Sequence, residues 1–389
     1  YRRGWLVWLG VVAAMGLLGV RLLVLQLFEG GKYRVLADEN RVKKIRLQAP
    51  RGKIWDRNGE ELVRDETTAH VVGYVSEVDE GEVGLLKEKG DKYGPGSLIG
   101  RAGMEAQYEE VRRGLVGGRL VEVDNMGAVV REMGKREPVP GSDLQLTIDG
   151  KLQGVAYAWV AGKKAGVIVS DPRNGEVLAL VSSPSFDPDD VSTKYEVLRA
   201  KADLPFFNRA MGGVYPPGST FKMVTTLAAL ESGRVKRDFV FNDQGVIRVG
   251  SFSYSNWYFT KRGGVEGVLG FARALTRSTD TFFYKVGELT GPVEITDWAK
   301  KMGLGEKTGI DLPGEVAGLV PDPGSKRWYL GNTYHLAIGQ EDLLATPLQI
   351  NLMTNIIASG GKKCKPHLNK MLDIQCSVVN ISEETLDII

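Results

Sequence analysis

The chain has 389 residues, 43% of them hydrophobic and 25% charged, with a formal net charge of +2. These values suit a globular protein of two or three domains and give no sign of the basic balance of a nucleic-acid binder. No Cys/His cluster has metal-ligand spacing, so neither a metal nor another cofactor is expected. The two cysteines, Cys364 and Cys376, could pair or stay free; the sequence leaves both open.

In chain order, the first feature is Trp5–Phe28, apolar except for glycines, Arg21 and Gln26. It is long enough to cross a bilayer, and Tyr1-Arg2-Arg3 before it put the N-terminus in the cytoplasm by the positive-inside rule. Arg21 would snorkel to the outer interface or face a partner helix. A cleaved signal peptide is the alternative, and the length of the stretch and the lack of a small-residue cleavage pattern speak against it. Gly30–Arg46 has helical spacing and many charges, and reads as a solvated extension. Next, Lys53–Asp56 reads as a strand, Asn58-Gly59 as a type I′ hairpin turn, and Arg51, Asp56 and Arg57 as a structural ion-pair set. Val71–Val75 reads as a strand, Ala106–Arg113 as a short helix ended by Gly114, and Leu120–Val123 with Val129–Glu132 as a hairpin around Asn125-Met126-Gly127. Pro138-Val139-Pro140-Gly141 is a stiff linker and marks a domain boundary. Beyond it, Leu144–Ile148 reads as a strand and Asp149 as the cap of a helix over Lys151–Ala161. Ala165–Ser170 and Val177–Ser182 form an apolar hairpin at the heart of an antiparallel sheet.

The chemistry begins at Pro216-Pro217-Gly218-Ser219-Thr220-Phe221-Lys222. The following Met223–Ser232 reads as a buried helix that Gly233 stops. Ser219 then sits at a helix N-terminus with Lys222 almost one turn on, a hydroxyl nucleophile beside an amine that could take its proton. Taken alone, the same letters describe a capping Ser before a surface Lys. Downstream, Ser278-Thr279-Asp280 places a second hydroxyl and a carboxylate one residue apart, able to face the same cleft from a tight turn.

Together these motifs resemble the penicillin-binding proteins, in particular the class B transpeptidases of the penicillin-binding protein 2 type. Tyr215–Lys222 is similar to the family's first motif, and Ser278–Tyr284 to its second, with Asp280 where many relatives have Asn. Gly309-Ile310-Asp311-Leu312-Pro313-Gly314-Glu315, Ile338-Gly339-Gln340, Thr346-Pro347-Leu348-Gln349 and the Arg51-to-Gly59 stretch are further landmarks, so the resemblance covers nearly the whole chain. It implies an α+β architecture: cytoplasmic tail (1–4), transmembrane helix (5–28), β-rich pedestal (29–137) and a β-lactamase-like transpeptidase domain, an antiparallel sheet flanked by helices (138–389).

The resemblance also implies a third motif, Lys-Thr-Gly or Lys-Ser-Gly, on a strand after Thr346-Pro347. Lys307-Thr308-Gly309 has those letters in the wrong place and reads as structural. No later candidate occurs before Ile389, so the transpeptidase domain is expected to be C-terminally incomplete and the chain as it stands inactive. The segment between Leu62-Val63 and His70-Val71 is expected to be shorter than in relatives. The implied activity of the full-length protein is peptidoglycan cross-linking by D,D-transpeptidation, covalently inhibited by β-lactams. Ser219 would be the nucleophile, Lys222 the general base, Ser278 the proton relay and Asp280 the orienting group. Implied partners are stem peptides, the lipid bilayer and a RodA-type SEDS glycosyltransferase reached through Trp5–Phe28 and the pedestal. A β-lactamase or carboxypeptidase, a scaffold for the polymerase and a β-lactam sensor are the competing readings.

Overall fold

The structure is a computed structural model that describes residues 4–33, 41–86, 93–94, 96–124, 126–325 and 327–389. It divides into two compact units: Tyr1–Gly52 with Lys89–Lys92 and Arg113–Ser142, and Lys53–Glu88 with Tyr93–Arg112 and Asp143–Ile389.

In the first unit, α1 (Gly4–Leu23) continues through a π-turn, Val24–Phe28, giving 25 helical residues without a buried side chain, long and apolar enough to span a bilayer. Arg21 meets Glu29 at 3.8 Å, so the one cation of the stretch is paired at its C-terminal end. The helical extension expected over Gly30–Arg46 is not found where the chain is described at its end. Val42–Leu47 is strand β1, antiparallel to β2 (Gly117–Val123), which in turn pairs with β3 (Val129–Arg136). Ladder pairing with β2 outweighs the local helical preference of these charged residues. Residues 34–40, the tail residues 1–3 and Asn125 of the expected hairpin turn lie outside the described residues.

The second unit is built on four strips of buried apolar residues. In one, Ile54, Leu62, Val71, Val72 and Met104 meet Leu146, Ile148, Leu180 and Leu368. Val71-Val72 belong not to a strand but to a helical turn, Ala69–Val72; Gly73 (φ +81°) stops it and a strand starts only at Val75. Ile54–Trp55 pairs in parallel with Leu144–Gln145. The turn after it is not type I′, because only Gly59 takes a positive φ. Nor is Asp56 in an ion-pair set: its carboxylate accepts the N–H groups of Asn58, Glu60 and Gly150, while Arg57 pairs with Glu176. Asp149 caps α2 (Gly150–Val160), as its sequence position suggests. β4 (Ala165–Ser170) and β5 (Val177–Ser183) form the expected apolar hairpin, a two-stranded ladder among the described residues.

The helical half surrounds α3 (Lys222–Glu231). Val224, Leu227 and Ala228 pack against Ile295 and Trp298 of α7 (Pro292–Lys301), Leu336 of α8 (Leu330–Ala337) and Leu352 of α9 (Pro347–Ala358). Ala229 meets Phe271 and Ala274 of α5 (Phe271–Arg277) and Phe282 and Val286 of α6 (Asp280–Thr290). A helix that is apolar all round belongs in such a core, and each large side chain buried there contributes about 1.5–3 kcal/mol. The cysteines pair: Cys364–Cys376 joins β8 (Lys362–Cys364) to β9 (Cys376–Val378).

Two landmarks have structural causes. Asp311 accepts the N–H groups of Leu368 (2.7 Å) and Asn369 (2.9 Å) and the Tyr108 hydroxyl (2.8 Å), tying three distant segments together. Lys307-Thr308-Gly309 lies in a loop closed by Glu315, which accepts the Thr308 N–H and hydroxyl and the Gly309 N–H. Asp311→Ala leaves two buried N–H groups and the half-buried Tyr108 hydroxyl without this acceptor and is expected to cost about 2–4 kcal/mol in denaturant unfolding; a loss within ~0.5 kcal/mol would contradict this role.

Candidate active site

The approach to Ser219 is a stiff chain. Tyr215 exchanges both backbone hydrogen bonds with Ala345 at 2.9 Å. Pro216 and Pro217 restrict the backbone, and Gly218 takes φ +58°, a conformation that favours glycine. The Gly218 N–H donates to Gly339 O at 2.9 Å. Gly339 itself has φ +74°, and a Cβ there would stand 2.2 Å from Gly218 O. This close backbone approach explains the Ile338-Gly339-Gln340 landmark. Its cause is not legible in the sequence because it joins segments 121 residues apart. A 3₁₀ turn, Gly218–Phe221, carries Ser219 and runs directly into α3.

Ser219 is exposed, and among the described residues its hydroxyl makes no hydrogen bond. Lys222 is 1% exposed. Its Nζ donates to Ser278 O (2.9 Å), Ser278 Oγ (3.0 Å) and Asp280 Oδ1 (2.6 Å), and lies 5.4 Å from the centre of the Phe283 ring. An ammonium has three donors, and these three acceptors use all of them. The structure therefore joins Lys222, Ser278 and Asp280 directly, and places Ser219 on the preceding turn without a bond to the amine. Burial pulls the Lys222 amine below its ordinary pKa, and the Asp280 carboxylate works against that shift.

Ser278 owes its double contact to an unusual backbone. It follows α5 in the left-handed region (φ 51°, ψ 46°). Its N–H donates to Leu275 O and the next N–H, of Thr279, to Ala274 O, the pattern that closes a helix where glycine is usual. A non-glycine residue there is mildly strained, and here the strain turns both the carbonyl and the hydroxyl of one residue toward the amine. α6 starts at Asp280, so the carboxylate lies in the first turn, where the helix dipole favours negative charge.

An exposed hydroxyl on the turn leading into a buried helix, beside a desolvated amine held by a second hydroxyl and a carboxylate, is an arrangement chemically able to support serine acyl transfer. The comparisons with known proteins agree. The model of the penicillin binding protein transpeptidase domain matches residues 165–388, and that of the penicillin-binding protein dimerisation domain matches 63–146. Peptidoglycan D,D-transpeptidase MrdA of Escherichia coli K12 is 40% identical over 314 residues, 77% of this chain and 49% of that protein. A crystal structure of Pseudomonas aeruginosa PBP2 in complex with WCK 5153 superposes with a TM-score of 0.75 at 31% identity, covering 89% of this chain and 79% of that one. A chain from a structure described as structural coordination of polymerization and crosslinking by a peptidoglycan synthase complex gives a TM-score of 0.76 at 29% identity, covering 100% and 84%. The chain belongs to the penicillin-binding protein transpeptidase family, in its class B, PBP2/MrdA-type branch. It spans about half the length of the curated relatives it matches.

Gly339→Ala must push the Gly218 turn away or move Gly339 itself. It is expected to lower stability by about 1–3 kcal/mol and to shift Ser219 in a crystal structure. An unchanged thermal midpoint and an unmoved Gly218 would contradict the contact.

Proposed function

We propose that this chain carries the acylation machinery of a peptidoglycan D,D-transpeptidase, with Ser219 as nucleophile. One observation supports the reading most: the buried Lys222 amine, gripped by Ser278 and Asp280, one turn from an exposed serine. In the proposed reaction Ser219 attacks the carbonyl between the two terminal D-alanines of a stem peptide. Lys222, in its neutral form, takes the Ser219 proton. One of its three present contacts gives way as substrate arrives; catalytic hydrogen bonds often align only in the substrate complex. Backbone N–H groups of the first turn, that of Ser219 included, hold the oxyanion. Ser278 passes a proton to the departing D-alanine amine and later takes one from the acceptor stem amine. Asp280 orients Lys222 and Ser278. A β-lactam carbonyl acylates the same hydroxyl.

The 25-residue apolar helix supports a single membrane anchor with the N-terminus in the cytoplasm and the catalytic unit outside. In this reading residues 29–137 act as pedestal and 138–389 as transpeptidase domain. A RodA-type SEDS polymerase is the proposed partner of α1 and the pedestal, supported by the similarity to a chain of a peptidoglycan synthase complex.

In the full-length protein, Ser219→Ala should abolish covalent labelling by a fluorescent penicillin, and Lys222→Ala should slow it about 10²–10⁴-fold. Labelling that persists in Ser219→Ala would overturn the assignment. Adduct lifetime separates the activities, since rapid turnover of bound penicillin would mark a β-lactamase.

A further inference from the structure

The corner between α5 and α6 carries Ser278 and Asp280, whose side chains meet Lys222. Thr279 Oγ1, in the middle, is buried without a hydrogen-bond partner. The corner is held instead at its two ends, and both ends lead to one carboxylate.

Asp243, the last residue of β6 (Phe241–Asp243), which pairs with β7 (Gly267–Leu269), is fully buried. Its Oδ1 accepts the Gly245 N–H at 2.8 Å and the Thr281 hydroxyl at 2.7 Å. Its Oδ2 accepts Asn256 Nδ2 at 2.8 Å and the Glu266 N–H at 2.9 Å. These four donors fill the lone-pair positions of a carboxylate, the condition under which a buried charge without a neighbouring cation is tolerated. Thr281 is in the first turn of α6, next to Asp280, and is itself fully buried.

The other end is Arg277, the last residue of α5. Its guanidinium donates to Glu266 Oε1, with Nε at 2.9 Å and Nη2 at 2.7 Å. Its carbonyl accepts from Trp257 Nε1 at 2.9 Å. Trp257 opens a short helix, Trp257–Arg262, capped by the Asn256 side chain, which accepts the Tyr258 N–H at 2.6 Å. Glu266 and Asn256 are both held by Asp243. The same carboxylate thus fixes Thr281 directly and Arg277 through two intermediaries. Between these fixed points, Ser278 keeps its left-handed backbone and Asp280 its aim at Lys222.

We infer that Asp243 is a positioning residue for the acylation site: through Thr281 on one side and Glu266 and Asn256 on the other, it sets the geometry in which Ser278 and Asp280 meet Lys222. It touches neither substrate nor the reacting atoms. The inference rests on the proposed role of Ser219, Lys222 and Ser278. It also predicts a structural change that can be seen without any turnover.

The variant of choice is Thr281→Val, which keeps the shape of the side chain and removes only the hydroxyl that binds Asp243. Asp243→Asn aims a donor at donors and risks misfolding. In the full-length protein, acylation by a fluorescent penicillin is separated into the binding constant and the acylation rate constant. Thr281→Val is expected to lower the rate constant about tenfold and leave the binding constant within about twofold. Thr281→Ser restores the hydroxyl and is expected to restore the rate. A crystal structure of Thr281→Val is expected to show the Lys222–Asp280 contact lengthened beyond 3.5 Å. Wild-type acylation in Thr281→Val, failure of Thr281→Ser to rescue, or an unmoved Lys222–Asp280 contact would each overturn the inference. If the wild-type protein is not acylated at all, the reading of the site fails, and the crystallographic comparison still decides the positioning role.

Discussion

The helical half is arranged around one constraint: a lysine amine is buried, and its three donors must be satisfied. A solvated ammonium needs no help, but one at 1% exposure leaves costly unpaired donors unless acceptors surround it. The fold supplies a carbonyl, a hydroxyl and a carboxylate from a single helix corner. To bring the carbonyl and the hydroxyl from one residue, Ser278 takes a left-handed backbone. To put the amine there, α3 is wrapped by α5–α9, so that Lys222 enters the core at the end of a turn whose serine stays outside. Desolvation and the Asp280 carboxylate act in opposite directions on the amine. That opposition suits the proposed role, in which the amine rests charged and works neutral.

The Ser219 turn is governed by a second constraint, backbone closeness. Gly339 lies so close to the Gly218 backbone that a side chain at 339 has no room without movement, and Gly218 itself is held at a positive φ that favours glycine. Tyr215 is anchored to Ala345 on the same segment. Ser219 is thus aimed by a rigid frame on one side, while Lys222 is aimed by a polar cluster on the other. In the present geometry the two do not touch. The amine is fully engaged by Ser278 and Asp280, so the proposed proton transfer from Ser219 requires one of those contacts to loosen.

The parts legible in the sequence were those whose cause is local. The Pro-Pro-Gly approach, the apolar run after Lys222, the stop at Gly233 and the Asp149 cap are short-range physics, and the structure has all of them. Val42–Arg46 ends the charged stretch Gly30–Arg46 that suggests a solvated helix, yet it is strand, because its state is decided by β2, some 75 residues away. Val71-Val72 look like a strand because both are β-branched, yet Gly73 and core packing hold them in a helical turn. The pairing of Cys364 with Cys376 was open in the sequence and is closed by the β8–β9 ladder. Ser278 and Asp280 were found by resemblance and chemistry together. Gly339 stood out only as part of a family landmark, without a physical reason, and Asp243 carried no signal at all, since an aspartate at a strand end is common.

The account turns on the charge state available to Lys222. Its most direct test is an NMR pH titration of the Lys222 side chain, isotope-labelled in the full-length protein. Lys222 should titrate below the usual lysine value of 10.5, because burial outweighs the Asp280 carboxylate, and Asp280→Asn should move the midpoint lower still. A midpoint at or above 10.5 in the wild-type protein would contradict the account, since the amine would then be held as a permanent cation and could not serve as the base for Ser219.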